Sequence, residues 1–184
     1  MIVYLHGFNS SPQSHKALVL QRYMTERGLG REFSCPALPH QPRDAVRLIR
    51  SLVGEKAVCY LGSSLGGFYA TYLVETQGGR AVLVNPAIDP HIGLSSYLGP
   101  QKNLYTGEPY ELTSAHLDQL RELDVPRVTP ERYLLLVEKG DEVLDYRRAV
   151  ERYAGAAQLI IEGGDHSLRS FPEHLPKILR FAGY

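Results

Sequence analysis

The sequence has no excess of charge of either sign. Lysine and arginine together number 20, aspartate and glutamate also number 20, and the formal net charge at pH 7 is zero. Such a chain lacks the broad positive field that draws basic proteins to nucleic acids and anionic lipids. We therefore expect neither a nucleic acid nor a membrane as a partner.

Long apolar runs are missing as well. No stretch approaches the roughly 18 consecutive apolar residues of a membrane span. Residues 1–5 also lack the basic and apolar regions of a secretory signal. The sequence therefore predicts a cytoplasmic protein.

Cysteine is scarce, with two residues in a chain of 184. Cys35 and Cys59 each lie within or at the end of an apolar, strand-like run, and no dense cysteine framework surrounds them. We predict two buried free thiols rather than a disulfide.

Repeats, low-complexity tracts and linker-like changes of composition are absent too. A length of 184 residues fits one domain, and 43% hydrophobic with 22% charged residues is typical of a folded globular chain. We expect residues 1–184 to form a single domain.

Short apolar runs alternate with amphipathic stretches of helical length. The predicted strands cover residues 2–5, 32–36, 57–61, 81–84, 133–137 and 158–161. The predicted helices cover residues 13–27, 43–53, 65–76, 114–122, 145–153 and 171–181. Continuous apolar runs are typical of parallel strands that helices bury on both faces. The alternation predicts an α/β fold, in which helices cover both faces of a doubly wound, mostly parallel sheet.

Residues 86–129 form an unusually long connection between two predicted strands. The segment is rich in tyrosine and proline, and a connection of this length is more often functional than idle. We expect a short cap-like insertion. Its tyrosines and leucines either form an apolar wall for an acyl chain or cover the sheet.

An apolar strand runs into a Gly-x-Ser-x-Gly turn and then into a helix over residues 58–67. A serine on such a turn is the nucleophile of α/β-hydrolases, and glycines two residues to either side leave room for the strained backbone. Gly62 and Gly66 fill these positions, so Ser64 is the predicted nucleophile. Ser63 is the alternative, but leucines stand where its flanking glycines would have to be.

A serine hydroxyl is a weak nucleophile unless a base removes its proton during attack. His166 lies on a loop just after the last predicted strand, where it could reach Ser64, and is the predicted base. Four other histidines lie in polar or helical surroundings and are expected to be exposed: His15, His40, His116 and His174.

The predicted orienting acid is Asp141, which follows the strand at 133–137. Gly140 before it allows a tight turn at the strand exit, and the order Ser, Asp, His is that of α/β-hydrolases. Four other carboxylates compete for the role: Glu138, Glu142, Asp145 and Asp165. Asp165 adjoins His166, which makes a side-chain bond awkward, and Asp145 is expected to cap a helix.

Two backbone amides are candidates for stabilising an oxyanion. The amide of Leu65 lies at a predicted helix N-terminus, where N–H groups and the helix dipole favour negative charge. The loop at residues 6–12 follows the first strand and offers the amide of Phe8 as the second donor. His6 is interpreted as a residue that shapes this loop.

Four motifs occur in order along the chain, at residues 6–12, 62–67, 140–145 and 163–166. Together they resemble those of the YqiA-like esterases, which are small bacterial α/β-hydrolases, and the resemblance spans nearly the whole chain. It implies the triad Ser64, Asp141 and His166 with oxyanion donors at Phe8 and Leu65. Unlike larger α/β-hydrolases, this chain has no room before residue 6 for two further strands, so we expect about six.

The expected function is hydrolysis of carboxylic esters through an acyl-enzyme, with a small-molecule acyl ester as the substrate. An acyl-CoA or other acyl thioesterase is the main alternative, because the same triad serves both leaving groups. A non-catalytic binding protein and a peptidase are weaker alternatives. Neither a metal nor a cofactor is implied.

Overall fold

A six-stranded parallel sheet lies at the centre of the computed structural model, which describes residues 1–54 and 56–184. The strands of the described residues, including the two of a separate hairpin (β5 and β6), are β1 (Ile2–Leu5), β2 (Phe33–Ser34), β3 (Cys59–Ser63), β4 (Arg80–Val84), β5 (Gly99–Lys102), β6 (Pro109–Leu112), β7 (Tyr133–Glu138) and β8 (Ala157–Ile161). The sheet has the order β2-β1-β3-β4-β7-β8. All six predicted strands are present in it, and all its pairings are parallel.

Strand bounds differ from the prediction where pairing decides them. The predicted strand at 57–61 begins later, at Cys59, because Cys59 pairs with Ile2 and Gly62 with Leu5. The predicted strand at 32–36 shrinks to two residues at the sheet edge, because the edge strand pairs only with Ile2 and Val3.

Helices cover both faces of the sheet, as predicted. They are α1 (His15–Glu26), α2 (Pro42–Val53), α3 (Leu65–Gln77), α4 (Pro90–Gly93), α5 (Ser114–Glu122), α6 (Tyr146–Arg152) and α7 (Phe171–Ala182). Apolar side chains of α1 and α7 form a core with one face of the sheet, and those of α2, α3, α5 and α6 form a core with the other. All six predicted helices are present, and α4 is an addition.

The connection at residues 86–129 contains α4, an antiparallel β5–β6 hairpin and α5. Gly99 pairs with Leu112 and Lys102 with Pro109 at the two ends of the hairpin. The sequence did not predict this hairpin, because both strands are short, largely exposed and interrupted by proline.

The prediction that His116 is exposed is wrong, since only 3% of its surface is accessible. Its Nδ1 accepts a hydrogen bond from Thr113 N at the start of α5, and its Nε2 lies 3.1 Å from His40 Nδ1. His15 and His40 are exposed as predicted, and His174 is half-buried.

Cys35 and Cys59 are free thiols, as predicted. Cys59 is buried, and Cys35 is half-buried. Burial raises the pKa of each thiol to about 12. None of the helices in the described part of the chain has the length and apolar character needed to cross a membrane.

Candidate active site

A cavity of about 770 Å³ opens at the carboxyl ends of the parallel strands. Ser64, His166 and Phe8, from the loops after β3, β8 and β1, contribute to its lining. This edge of an open α/β sheet is where ligands usually bind, and the volume is that of a small-molecule pocket. With Leu65, which also lines it, the structure brings four of the five predicted site residues to one cavity.

Ser64 occupies a strained turn between β3 and α3. Its backbone has φ 53° and ψ −120°, a conformation that L-residues with a side chain rarely adopt. Ser64 N donates to Val84 O at 3.0 Å, and Ser64 O accepts from Gly67 N at 2.9 Å and from Ala87 N at 3.0 Å. These bonds fix the strained backbone to β4, α3 and the start of the connection.

Glycine is required on both sides of Ser64 by the close approach of other backbone segments. A Cβ on Gly62 would overlap the carbonyl of Gly66 and lie 2.6 Å from Gly67 Cα. A Cβ on Gly66 would overlap the carbonyl oxygen of Leu5 in β1. The turn can therefore pack against the first strand only without these side chains.

Asp141 is hydrogen-bonded to the ring of His166. The distance from Asp141 Oδ2 to His166 Nδ1 is 2.8 Å, and Oδ1 accepts from the N–H groups of Val143 and Leu144 at 2.8 Å each. The Asp141 side chain is 2% exposed and the His166 side chain 24% exposed. The buried carboxylate is thus held from two sides, while the ring reaches the cavity.

The electrostatics of Asp141 favour its charged form. Burial by itself would raise its pKa, but the hydrogen bond from His166 and those from the Leu144 and Val143 amides prevail and lower it. The carboxylate therefore remains ionised at neutral pH.

The competing carboxylates bond to backbone groups or to other side chains. Glu142 accepts from His166 N, Asp145 caps α6 by accepting from Arg147 N as expected, and Asp165 pairs with Arg169. Within the described residues, Asp141 is the carboxylate that bonds to the His166 ring.

Two buried residues that the sequence analysis did not assign to the site hold the His166 loop. Asn85, at the end of β4, donates from Nδ2 to the carbonyls of Asp165 and His166 at 3.2 and 3.1 Å. Asn85 Oδ1 accepts from Glu138 N at 3.1 Å, and Glu138 Oε2 accepts from Asp165 N at 2.7 Å. The sequence does contain one signal for Asn85, because it is a polar residue directly after an apolar strand.

Gly140 and Gly164 bring the acid loop and the base loop together. Gly140 N donates to Gly163 O at 2.7 Å, and a Cβ on Gly140 would overlap the Gly164 carbonyl oxygen. The tight turn expected at the strand exit is present, since Asp141 N donates to Glu138 O at 3.2 Å, and the close backbone approach gives a second reason for glycine at 140. A Cβ on Gly164 would overlap the Glu138 carboxylate.

Phe8 and Leu65, whose amides are the predicted oxyanion donors, both line the cavity. Neither amide donates in the turn and loop hydrogen bonds of the described residues. Leu65 is the first residue of α3, whose initial N–H groups have no partner within the helix. A Cβ on Gly7, just before Phe8, would lie 3.2 Å from Ser64 Cβ, so this loop runs directly beside the serine.

Ser64 and His166 line the same cavity, but no hydrogen bond joins their side chains in the part of the chain that the structure describes. Such bonds are often long or poorly aligned before substrate binds. Ser63 also lines the cavity, as the last residue of β3.

Lys16, at the start of α1, adds a basic group to the cavity lining. Its Nζ donates to Ser167 O at 2.7 Å, next to His166. Burial lowers the pKa of Lys16, against the attraction of nearby carboxylates, of which Asp165 has the largest effect. No three histidine, cysteine, aspartate or glutamate side chains of the described residues could hold a metal together.

The connection supplies most of the apolar wall of the cavity. The contributing side chains are Ile88, Leu94, Tyr97, Leu104 and Tyr105. Three of them are well exposed, Leu104 at 80% and both tyrosines at 50%. This wall can contact an apolar ligand.

A family model matches the chain over nearly its whole length. It is described as Uncharacterised protein family (UPF0227) and matches residues 1–183. A UPF0227 protein of Serratia proteamaculans (strain 568) is 25% identical over 189 residues, which cover 98% of either chain. The resemblance to the YqiA-like family, predicted from the four motifs, is confirmed at this level.

Hydrolases are among the solved structures of similar fold. A putative hydrolase from Agrobacterium vitis S4 has a TM-score of 0.77 at 18% identity, over 98% of this chain and 87% of that chain. A monoacylglycerol lipase from Paleococcus ferrophilus has a TM-score of 0.66 at 16% identity, over 98% of this chain and 93% of that chain. At these identities the likeness shows the fold, and the predicted α/β-hydrolase fold is confirmed.

Proposed function

This chain belongs to the UPF0227 family, and we propose that it is a serine esterase that cleaves carboxylic esters through an acyl-enzyme on Ser64. The observation that carries the proposal is a strained serine in the same cavity as a histidine whose Nδ1 is bonded to a buried carboxylate. Strain at a single non-glycine residue persists where the surrounding structure holds it, which is common at catalytic sites.

In the proposed first step, Ser64 Oγ attacks the carbonyl carbon of the ester while His166 Nε2 accepts the serine proton. Asp141 keeps the proton of the ring on Nδ1 and stabilises the imidazolium that forms. The oxyanion accepts hydrogen bonds from the Phe8 and Leu65 amides. The bond between carbon and the leaving oxygen then breaks, and His166 returns the proton to the departing alcohol.

In the second step, a water molecule attacks the acyl-enzyme and gives its proton to His166. A second oxyanion forms in the same place and collapses with cleavage of the bond to Ser64 Oγ, which regains a proton from His166. The carboxylic acid leaves. Each step uses the same three side chains and two amides.

The apolar wall supports an acyl ester as the substrate class. We propose that the connection at 86–129 acts as a cap over a single α/β-hydrolase domain, with Tyr97, Leu104 and Tyr105 facing the acyl chain. Burial of each methylene of an acyl chain against such a wall stabilises the complex by about 0.8 kcal/mol. The similar structure from P. ferrophilus is a monoacylglycerol lipase, which is consistent with this class.

Turnover of p-nitrophenyl esters of increasing acyl length tests the proposal, with the matching acyl thioesters measured in parallel. We expect Ser64→Ala to lose at least about 10³-fold in kcat/KM, because the nucleophile is removed. Ser51→Ala is the matched control, since Ser51 is exposed on α2 and its hydroxyl donates to Leu48 O, away from the cavity lining. Preference for thioesters over every ester would favour the thioesterase alternative, and wild-type turnover by Ser64→Ala would overturn the proposal.

A further inference from the structure

Residues 7–10, here called the Phe8 loop, are hydrogen-bonded to the β5–β6 hairpin at four points. Asn9 takes part in three of them. Asn9 Nδ2 donates to Gln101 Oε1 at 3.0 Å, Asn9 Oδ1 accepts from Tyr110 OH at 2.7 Å, and Asn9 O accepts from Leu104 N at 2.9 Å. The fourth bond runs from Asn103 Nδ2 to Ser10 O at 2.8 Å.

The Phe8 loop is a β-turn whose shape depends on Asn9. Ser10 N donates to Gly7 O at 3.3 Å, and Asn9, the third residue of the turn, has φ 54°. A positive φ at the third position is what a type II turn requires, and asparagine tolerates it better than most residues. Phe8, the second residue of the turn, therefore lies in a turn that forms only while Asn9 keeps its positive φ.

Tyr110 is itself fixed by its surroundings. Its ring stacks on His40 with 4.5 Å between ring centroids and 18° between the planes. Burial raises the pKa of Tyr110 to about 12, so its hydroxyl stays protonated and can donate to Asn9 at neutral pH. The hairpin thus presents to the Phe8 loop a hydroxyl donor whose ring is stacked on His40.

We propose that Asn9 and Tyr110 are positioning residues through which the hairpin aims the Phe8 amide at the developing oxyanion. The inference rests on the proposed function, because it assigns a task to the Phe8 amide. An oxyanion donor acts only when it lies within hydrogen-bond reach of the position that the oxyanion will take. The connection then has a second role besides contact with the acyl chain.

Two variants distinguish a positioning role of Asn9 and Tyr110 from a role in folding. Tyr110→Phe keeps the ring and its stacking and removes only the hydroxyl. Asn9→Gly keeps access to positive φ and removes both side-chain bonds. Tyr72→Phe is the matched control, because Tyr72 OH accepts from Arg50 on the α2–α3 side, away from the cavity.

Kinetics with a p-nitrophenyl ester and binding of phenylboronic acid provide the readout. Complete loss of an oxyanion donor lowers kcat by about 10²- to 10³-fold. A Phe8 amide that is present but poorly directed should cost less, so we expect kcat to fall about tenfold in Tyr110→Phe and further in Asn9→Gly. We expect KM to stay within about twofold, because the interaction is made in the transition state. The inhibition constant of phenylboronic acid, whose serine adduct places an oxygen in the oxyanion position, should rise in parallel with the loss of kcat/KM.

Unchanged kcat and boronate affinity in both variants, with Ser64→Ala inactive, would overturn the inference and leave the proposed function intact. A rise in KM alone would also overturn it, since that result would indicate a role in substrate binding. Equal turnover by Ser64→Ala and the wild type would instead contradict the proposed function. Thermal unfolding of each variant shows whether the fold is retained.

Discussion

His166 Nδ1 lies 2.8 Å from Asp141 Oδ2, and this bond determines what the other ring nitrogen can do. An ionised carboxylate accepts from Nδ1–H, which leaves Nε2 unprotonated and able to accept a proton. Burial of the carboxylate, with both oxygens engaged, keeps it in one orientation. The pair is therefore suited to general-base chemistry before any substrate arrives.

Asp141→Asn should abolish this tautomer preference while preserving the volume of the side chain. We expect kcat for an aryl ester to fall by about 10³- to 10⁴-fold, with the fold intact. The matched change Asp145→Asn removes a charge from the cap of α6 and should leave kcat within about twofold. If Asp145→Asn lost activity and Asp141→Asn kept it, the acid would have been assigned to the wrong residue.

The lowered pKa of Asp141 predicts a contribution to acid stability. A folded-state pKa below the ordinary value of 3.8 means that the carboxylate stabilises the fold above that pH and loses this effect as the pH falls through its folded pKa. Urea unfolding of the wild type and Asp141→Asn from about pH 5 to pH 2 would measure it. The wild type should lose stability more steeply below pH 3.8, and parallel curves would refute the linkage.

Asn85 should matter for stability and for activity. Asn85→Ala leaves the N–H of Glu138 and two carbonyls of the His166 loop without partners, which should lower the free energy of unfolding by about 2 to 4 kcal/mol. Displacement of the His166 loop should also reduce kcat by about tenfold. Asn85→Asp keeps the acceptor for Glu138 N but sets a buried carboxylate oxygen against the two carbonyls, so it should also be destabilised in urea unfolding. Wild-type stability of Asn85→Ala would show that this network is dispensable.

Alanine substitutions at two glycines test whether close packing requires glycine in the Ser64 turn. Gly66→Ala places a Cβ against the Leu5 carbonyl oxygen and should destabilise the protein by at least about 3 kcal/mol. Gly93→Ala is the matched control, because a Cβ there meets nothing within 4 Å and φ is −60°. Its effect should stay within about 1 kcal/mol. Equal melting temperatures of the two variants would contradict the packing described for the Ser64 turn.

The central sheet and the Ser64 turn could be predicted from the sequence because both depend on local patterns. Strands buried on two faces are recognisable as short apolar runs, and a serine between spaced glycines after such a run marks the strained turn. The β5–β6 hairpin was missed because its strands have no apolar alternation and contain Pro100 and Pro109. Its partner is the Phe8 loop, about 90 residues away in sequence.

The network around His166 lay beyond sequence reasoning for a similar reason. Glu138 was considered only as a rival acid, whereas the structure uses it to hold Asp165 N and Ser170 Oγ. Asn85 acts through backbone groups some 80 residues away. The buried His116 likewise has a distant partner, since its Nε2 lies 3.1 Å from His40 Nδ1. Long-range partners of polar groups have no local signature comparable to hydrophobic periodicity.

The most direct test of Ser64 as the nucleophile is covalent labelling with a fluorophosphonate, followed by mass spectrometry of the intact protein and its peptides. We expect one adduct per chain, located on Ser64, with labelling abolished in Ser64→Ala and strongly slowed in Asp141→Asn. An adduct on Ser63, or labelling of Ser64→Ala at the wild-type rate, would contradict the assignment of Ser64 as the nucleophile.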